Sequence, residues 1–238
     1  MIMRKLTKFP KTAILLFAVI CALTAFKAAK PLQLFLLGDS NSLQYGTYLE
    51  KYLDGAFTIE RKGSREKAMQ NLDVPVDANG GDSKMILDYL RTRQKDPAFK
   101  PDLLLLNCGL HDIKRNPITK QIAIDSGSYR KNLEEIYSIL LRRKIPLIWI
   151  RTTEVIDSVH AAKSKAFSRY SDDVRQYNAI ADDVFRKHNV QVIDLYTFTK
   201  RSGNDRFADH VHYIPRVADA QARYIASFVK RWKQKQKD

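Results

Sequence analysis

Cysteine is close to absent. The 238 residues include two, Cys21 and Cys108, and Cys21 falls within a segment that reads as an export signal. Cys108 alone excludes an intramolecular disulfide and a metal cluster built from thiolates. It follows an apolar run and reads as a small buried core residue. No fixed-period repeat or long low-complexity tract is visible, which argues against a solenoid. Acidic residues are scarce beside basic ones: 26 Asp and Glu face 41 Lys and Arg, a formal net charge of +15. The uncharged apolar run at residues 12–26 is about 15 residues long, short of the ~20 that a membrane-spanning helix usually needs.

That run is framed in a particular way. Arg4, Lys5, Lys8 and Lys11 precede it, and Lys27, Ala28, Ala29 and Lys30 close it. Basic, then apolar, then small residues is the layout of a secretory signal. Lys27 stands where a small residue would be wanted for cleavage after Ala29, so residues 1–29 read as a signal peptide or an uncleaved N-terminal membrane anchor. Residues 30–238 then form one domain, exported to the periplasm or beyond. Residues 1–29 hold five of the cations and no acid, which leaves +10 on the remainder. Part of this excess sits in the tail Lys230, Arg231, Lys233, Lys235 and Lys237. An exported chain rarely meets nucleic acid, so an anionic glycan or membrane surface is the expected partner of that tail. A solvated basic face with no partner fits equally well.

Residues 32–37, 102–108, 145–150 and 190–195 are short apolar runs, as in strands buried on both faces of a parallel sheet; 57–61 is a weaker strand. Helical spacing marks 43–53, a helix from Asp82 or Ser83 carrying Met85, Ile86, Tyr89 and Leu90, then 128–143, 172–187, and a last helix opened by Pro215. Residues 63–82, 152–170 and 196–213 read as loops. Strands alternating with helices imply a parallel sheet covered on both faces, with ligands outside the carboxyl ends of the strands. Ser40, Gly109–Asp112 and Thr152–Glu154 all follow strands.

Ser40 lies in Leu36-Leu37-Gly38-Asp39-Ser40-Asn41. At a helix N-terminus, free N–H groups and the dipole would favour an oxyanion. Taken alone, the segment reads at least as well as a plain helix N-cap. A serine nucleophile needs a base, and Phe207-Ala208-Asp209-His210-Val211-His212-Tyr213 offers one. His212 can take the serine proton while Asp209, three residues earlier, holds the other ring nitrogen. His210, one step off, should point elsewhere. Asp209, His210 and His212 also suggest a metal site, but no third imidazole or thiolate completes it. Gly80 or Gly81 can present an unobstructed backbone N–H to the oxyanion. Asn107-Cys108-Gly109-Leu110-His111-Asp112 can supply another donor.

Taken in order, Gly-Asp-Ser, the glycine block, Gly-x-x-Asp and Asp-x-x-His resemble the conserved blocks of the GDSL/SGNH hydrolase family, over about residues 32–230. The resemblance implies a three-layer α/β/α sandwich with a parallel, flavodoxin-like five-stranded sheet. It makes Ser40 the nucleophile and first oxyanion donor, Gly80 or Gly81 the second, and Asp209 and His212 the rest of a triad. The third block usually reads Gly-x-Asn-Asp, its asparagine amide a further donor. Here it is Gly109-Leu110-His111-Asp112, and His111 either donates through its ring N–H, with a protonation felt near neutral pH, or is structural. Asn41 and Asn107 are reserve donors. Asp39, Asn41, Asn107, Thr153 and His160 are expected near substrate. Neither a metal nor an organic cofactor is expected. Export, charge and the polar 152–170 loop favour O-acetyl groups on a glycan as substrate. A lysophospholipase or short-chain lipase, an O-acetyltransferase, and a glycan-binding module with a decayed triad remain alternatives.

Overall fold

The computed structural model describes residues 30–236. The expected signal or anchor at 1–29, with Cys21, lies outside the described residues. Five strands, β1 (Leu32–Leu37), β2 (Phe57–Arg61), β3 (Leu103–Leu106), β4 (Leu147–Ile150) and β5 (Gln191–Ile193), form one sheet in the order β2-β1-β3-β4-β5. Every pairing is parallel, as the runs of leucine and isoleucine predict.

Alternation along the strands divides the core. Leu34, Leu36, Leu103, Leu105, Ile148 and Ile150 face α1 (Ser40–Leu53) and α8 (Pro215–Lys235), through Tyr45, Leu49, Ile225 and Val229. Phe35, Leu37, Leu104, Leu106 and Trp149 face α3 (Ser83–Arg93), α4 (Ser126–Arg142) and α6 (Ser171–Lys187). The result is the expected three-layer α/β/α sandwich. Each fully buried large side chain contributes roughly 1.5–3 kcal/mol relative to exposure; stripes on both faces of each central strand therefore hold the layers together.

Helix starts follow local chemistry. Asp39 caps α1 by accepting the Asn41 N–H, Asp82 caps α3 through Met85, and Asp125 caps α4 through Ser128, each such cap being worth ~1 kcal/mol. Because Asp39 is the cap, α1 begins at Ser40, not at 43 where the apolar periodicity starts. Three short helices stand where loops were expected: α2 (Arg65–Ala68), α5 (Asp157–Lys163) and α7 (Leu195–Lys200). They are too short to leave a readable apolar period. Among the described residues, no helix is long and apolar enough to cross a membrane.

The chain leaves β1 to pair on one side with β2 and returns on the other as β3. The carboxyl ends of β1 and β3 therefore flank the point where strand order reverses, the usual position of a ligand crevice in an open parallel sheet. Ser40 follows β1, and Gly109–Asp112 follows β3.

Candidate active site

Ser40 is the first residue of α1. Its backbone N–H belongs to the first turn, which has no intrahelical acceptor. The turn carrying Asp209 and His212 is closed by an antiparallel bridge between Phe207 and Tyr213 and by the Ala208 N–H donating to His212 O at 2.8 Å. Three distant parts of the sequence meet here. His212 Nε2 lies 2.7 Å from Ser40 Oγ, and His212 Nδ1 lies 2.6 Å from Asp209 Oδ2. Asp209 Oδ1 accepts the N–H groups of Val211 at 2.9 Å and His212 at 2.8 Å. Burial pushes the Asp209 carboxyl up. The hydrogen bond and charge of His212 and the two backbone donors outweigh this and hold it well below the usual carboxylate range. Ser40 and His212 are each only 2 % exposed, so the pair works in a largely water-free setting.

The base of that turn is tied to the sheet by a buried ion pair. Arg206 Nε donates to Glu154 Oε1 at 2.7 Å, both side chains being less than a tenth exposed, and an Arg206 Nη1 donates to Gly203 O. Removing Glu154 would leave a buried, unpaired guanidinium, at a cost of about 3–5 kcal/mol. Glu154→Ala is therefore expected to lower the melting temperature by roughly 10 °C for a chain of this size. A calorimetric scan that finds no shift would remove this pair from the list of anchors.

Other expected site residues are placed differently. The Gly80 N–H donates to Gly38 O at 2.7 Å, and the Gly81 N–H to Asn79 Oδ1 at 3.1 Å. Neither is the unobstructed donor that was expected: the glycine block closes onto the end of β1 in place of pointing into open space. Gly81 is required by its backbone, at φ 75°, a region that side chains disfavour. Gly109, at φ 148°, lets the turn after β3 pass close to Thr152.

The five residues expected near substrate are internal. Asp39 caps α1, and burial pushes its carboxyl up to about 6. Asn41 Nδ2 donates to Thr153 Oγ1 at 3.1 Å, tying α1 to the end of β4. Asn107 Nδ2 donates to Ile150 O at 3.0 Å, stitching β3 to β4. His160, buried in α5, packs its ring against those of His210 and Phe167. The Asn41 and Asn107 amides thus bind across strand ends, while Asp39 Oδ2, Asn41 Oδ1 and His160 Nε2 have no hydrogen-bond partner among the described residues.

His111 is 4 % exposed and its Nε2 has no hydrogen-bond partner among the described residues. Burial, then the charges of Lys114 and Arg169, hold its pKa well below the ordinary value. The ring is neutral around pH 7, so the expected sensitivity to its protonation does not arise. Asp209, His210 and His212 offer ligand atoms within 4.8 Å of one another. Both nitrogens of each ring are already engaged, those of His212 by Asp209 and Ser40 and those of His210 by Asp73 and Arg169, so the arrangement is a hydrogen-bond network.

Asp73, Lys114, Arg169 and Arg206 were not singled out from sequence. Each is one charged residue in a polar stretch, with no motif to distinguish it from a solvated neighbour. Only the contacts made across loops set them apart.

A model of the GDSL-like Lipase/Acylhydrolase family matches residues 36–217. No curated protein matches the sequence. Among solved structures the chain is similar to a lipase/acylhydrolase from Enterococcus faecalis, with 18% identity and a TM-score of 0.61 over 83% of this chain and 95% of that one. It is also similar to an acetyl xylan esterase, with 17% identity and a TM-score of 0.57 over 83% and 99%. A carbohydrate acetylesterase from Sinorhizobium meliloti aligns at 12% identity and a TM-score of 0.55 over 84% and 99%. At these identities the likeness is one of fold.

Proposed function

This chain belongs to the GDSL-like lipase/acylhydrolase family, and on that premise we propose that it is an exported serine esterase that removes O-acetyl groups from carbohydrate. The family makes it a carboxylic ester hydrolase. The observation that carries the mechanism is the unbroken hydrogen-bond line from Ser40 Oγ through His212 to Asp209.

Ser40 Oγ attacks the ester carbonyl as His212 Nε2 takes its proton, and Asp209 stabilises the resulting imidazolium. His212 then gives the proton to the leaving alcohol. Water, deprotonated by the same imidazole, attacks the acyl-enzyme; the acyl–Oγ bond then breaks as His212 returns the proton to Ser40 Oγ, and the acid departs. The tetrahedral oxyanion meets the Ser40 N–H at the positive end of α1. His111 is the second donor. Its Nε2 has no hydrogen-bond partner among the described residues, which leaves a ring N–H uncommitted for that role. A neutral imidazole carries one N–H, which replaces the asparagine amide usual at this position.

His111→Asn is expected to keep kcat within about tenfold of the parent, whereas His111→Ala should lower it by ~10²–10³-fold, the usual cost of one oxyanion donor. Equal and small effects in steady-state assays would make His111 structural.

Acetyl as the transferred acyl group, and carbohydrate as the leaving alcohol, are supported by the named activities of two structural neighbours and by the net positive charge. Export rests on the layout of residues 1–29. The test is a competition among acetylated xylan, a lysophospholipid and an aryl acetate, with acetate and fatty acid measured separately. Higher kcat/KM for acetate release from xylan is expected. Predominant fatty-acid release would replace the carbohydrate reading with a lysophospholipase, and acetate appearing on a second sugar would make it a transferase.

A further inference from the structure

Beside the triad a second line of hydrogen bonds crosses the loops. Asp73 Oδ2 lies 3.0 Å from His210 Nε2, His210 Nδ1 lies 3.4 Å from an Arg169 Nη1, and Arg169 Nε donates to Leu110 O at 2.7 Å. Arginine only donates, so His210 Nδ1 is the acceptor and the ring proton sits on Nε2, facing Asp73. A ring used in this way has both nitrogens committed and is not a spare base. Its place in the chain matters more: His210 lies between Asp209 and His212, while Leu110 immediately precedes His111.

Arg169 is 2 % exposed, and its buried charge is spent on a carbonyl and an imidazole. Burial pushes the guanidinium down to about 10, against the pull of Asp73, Asp39 and Asp209. Phe167 steadies the cluster, with Arg169 4.7 Å and Lys114 4.3 Å from its ring centroid, and Lys114 Nζ donates to Asp73 O at 2.9 Å. The loops bearing Asp73 and Arg169 thus grip both turns that carry the chemistry.

We propose that Asp73, His210 and Arg169 form a positioning relay that holds the Asp209–His212 turn and the His111 turn in register with each other. The relay rests on the esterase reading above and adds residues that touch no reacting atom. An active site is sensitive to displacement: a 1 Å error at the reacting groups can cost ~10²-fold in rate.

The test compares kcat, KM, and the rate of Ser40 labelling by a fluorophosphonate in Asp73→Ala, His210→Ala, His210→Gln, Arg169→Met and Asp73→Ala/His210→Ala. His210→Ala and Arg169→Met should lower kcat and labelling together by ~10–100-fold, with KM changed less than about twofold. His210→Gln, which can both accept and donate, should recover most of the loss. The double variant should be no worse than His210→Ala alone, since both changes break one line. Parental kcat in His210→Ala, no rescue by Gln, or full additivity in the double variant would overturn the relay. Should His210→Ala not fold, Asp73→Ala, at the exposed end, decides by the same kcat and KM criterion. Failure of the esterase reading is separate, because the parent itself would then neither label nor turn over.

Discussion

Ser40→Ala is expected to lower kcat for an aryl acetate by about 10⁵–10⁶-fold and to abolish fluorophosphonate labelling. His212→Ala should do nearly as much, and the double variant no more than either single one. The reason is that the two groups act as a unit. The hydroxyl is a weak nucleophile until the imidazole 2.7 Å away takes its proton, and the imidazole has nothing to activate once the hydroxyl is gone. What survives is the rate given by binding and the oxyanion donors, still ~10³–10⁴-fold above water. Ser40 and His212 are packed at 2 % exposure, and truncation at the crevice leaves the two core stripes untouched, so the variants should fold. Ser40→Ala within a hundredfold of the parent, with a parental melting curve, would mean that the nucleophile lies elsewhere.

Asp209→Asn is expected to cost about 10⁴-fold in kcat while leaving the turn intact. The Asn oxygen can still accept the Val211 and His212 N–H groups that now bond Asp209 Oδ1. Its NH₂ group would face His212 Nδ1, where Oδ2 now sits at 2.6 Å. Two donors cannot share that contact, so the ring proton moves to Nε2, and Nε2 loses the lone pair that takes the serine proton. A stability signature accompanies this. A carboxyl depressed on folding contributes stability that is present above its unfolded pKa of about 4 and is lost as pH falls through the folded value. The Asp209 carboxyl is depressed, so the Asn variant should show a melting temperature that depends less on pH below about 4. The effect is small because the side chain is 43 % exposed and water screens it. Activity within tenfold of the parent would show that Asp209 does not set the tautomer.

The sandwich was legible because its signals are local and repeated. Runs such as Leu103–Leu106 have no polar face to leave in water, so they must lie between two layers. The 3.6-residue period of α4 and α6 reports helices with one face buried. Short segments such as α5 carry less than two turns of pattern and compete with turn-forming residues, so composition there reads as loop. The meeting of Ser40, His212 and Asp209 was legible for a different reason: three chemically specific residue types occur in an order that one fold brings together.

The glycine block shows where such reading stops. Two adjacent glycines are compatible with a free N–H or with a tight turn, and only the approach of Gly80 to Gly38 O decided for the turn. The same holds for Asn107 and Thr153, whose amide and hydroxyl chemistry suits substrate as well as strand ends.

From its amino acids alone this protein carries the layer order, the parallel sheet, and the identities of the serine, histidine and aspartate at its crevice, because hydrophobic period and residue chemistry act over a few neighbours. Tertiary structure alone decided that Glu154 anchors Arg206, that Arg169 and Asp73 bracket His210, and that His111 is neutral with a partnerless nitrogen. Those outcomes depend on distance and on exclusion of water between segments far apart in the chain, and no local pattern encodes either quantity.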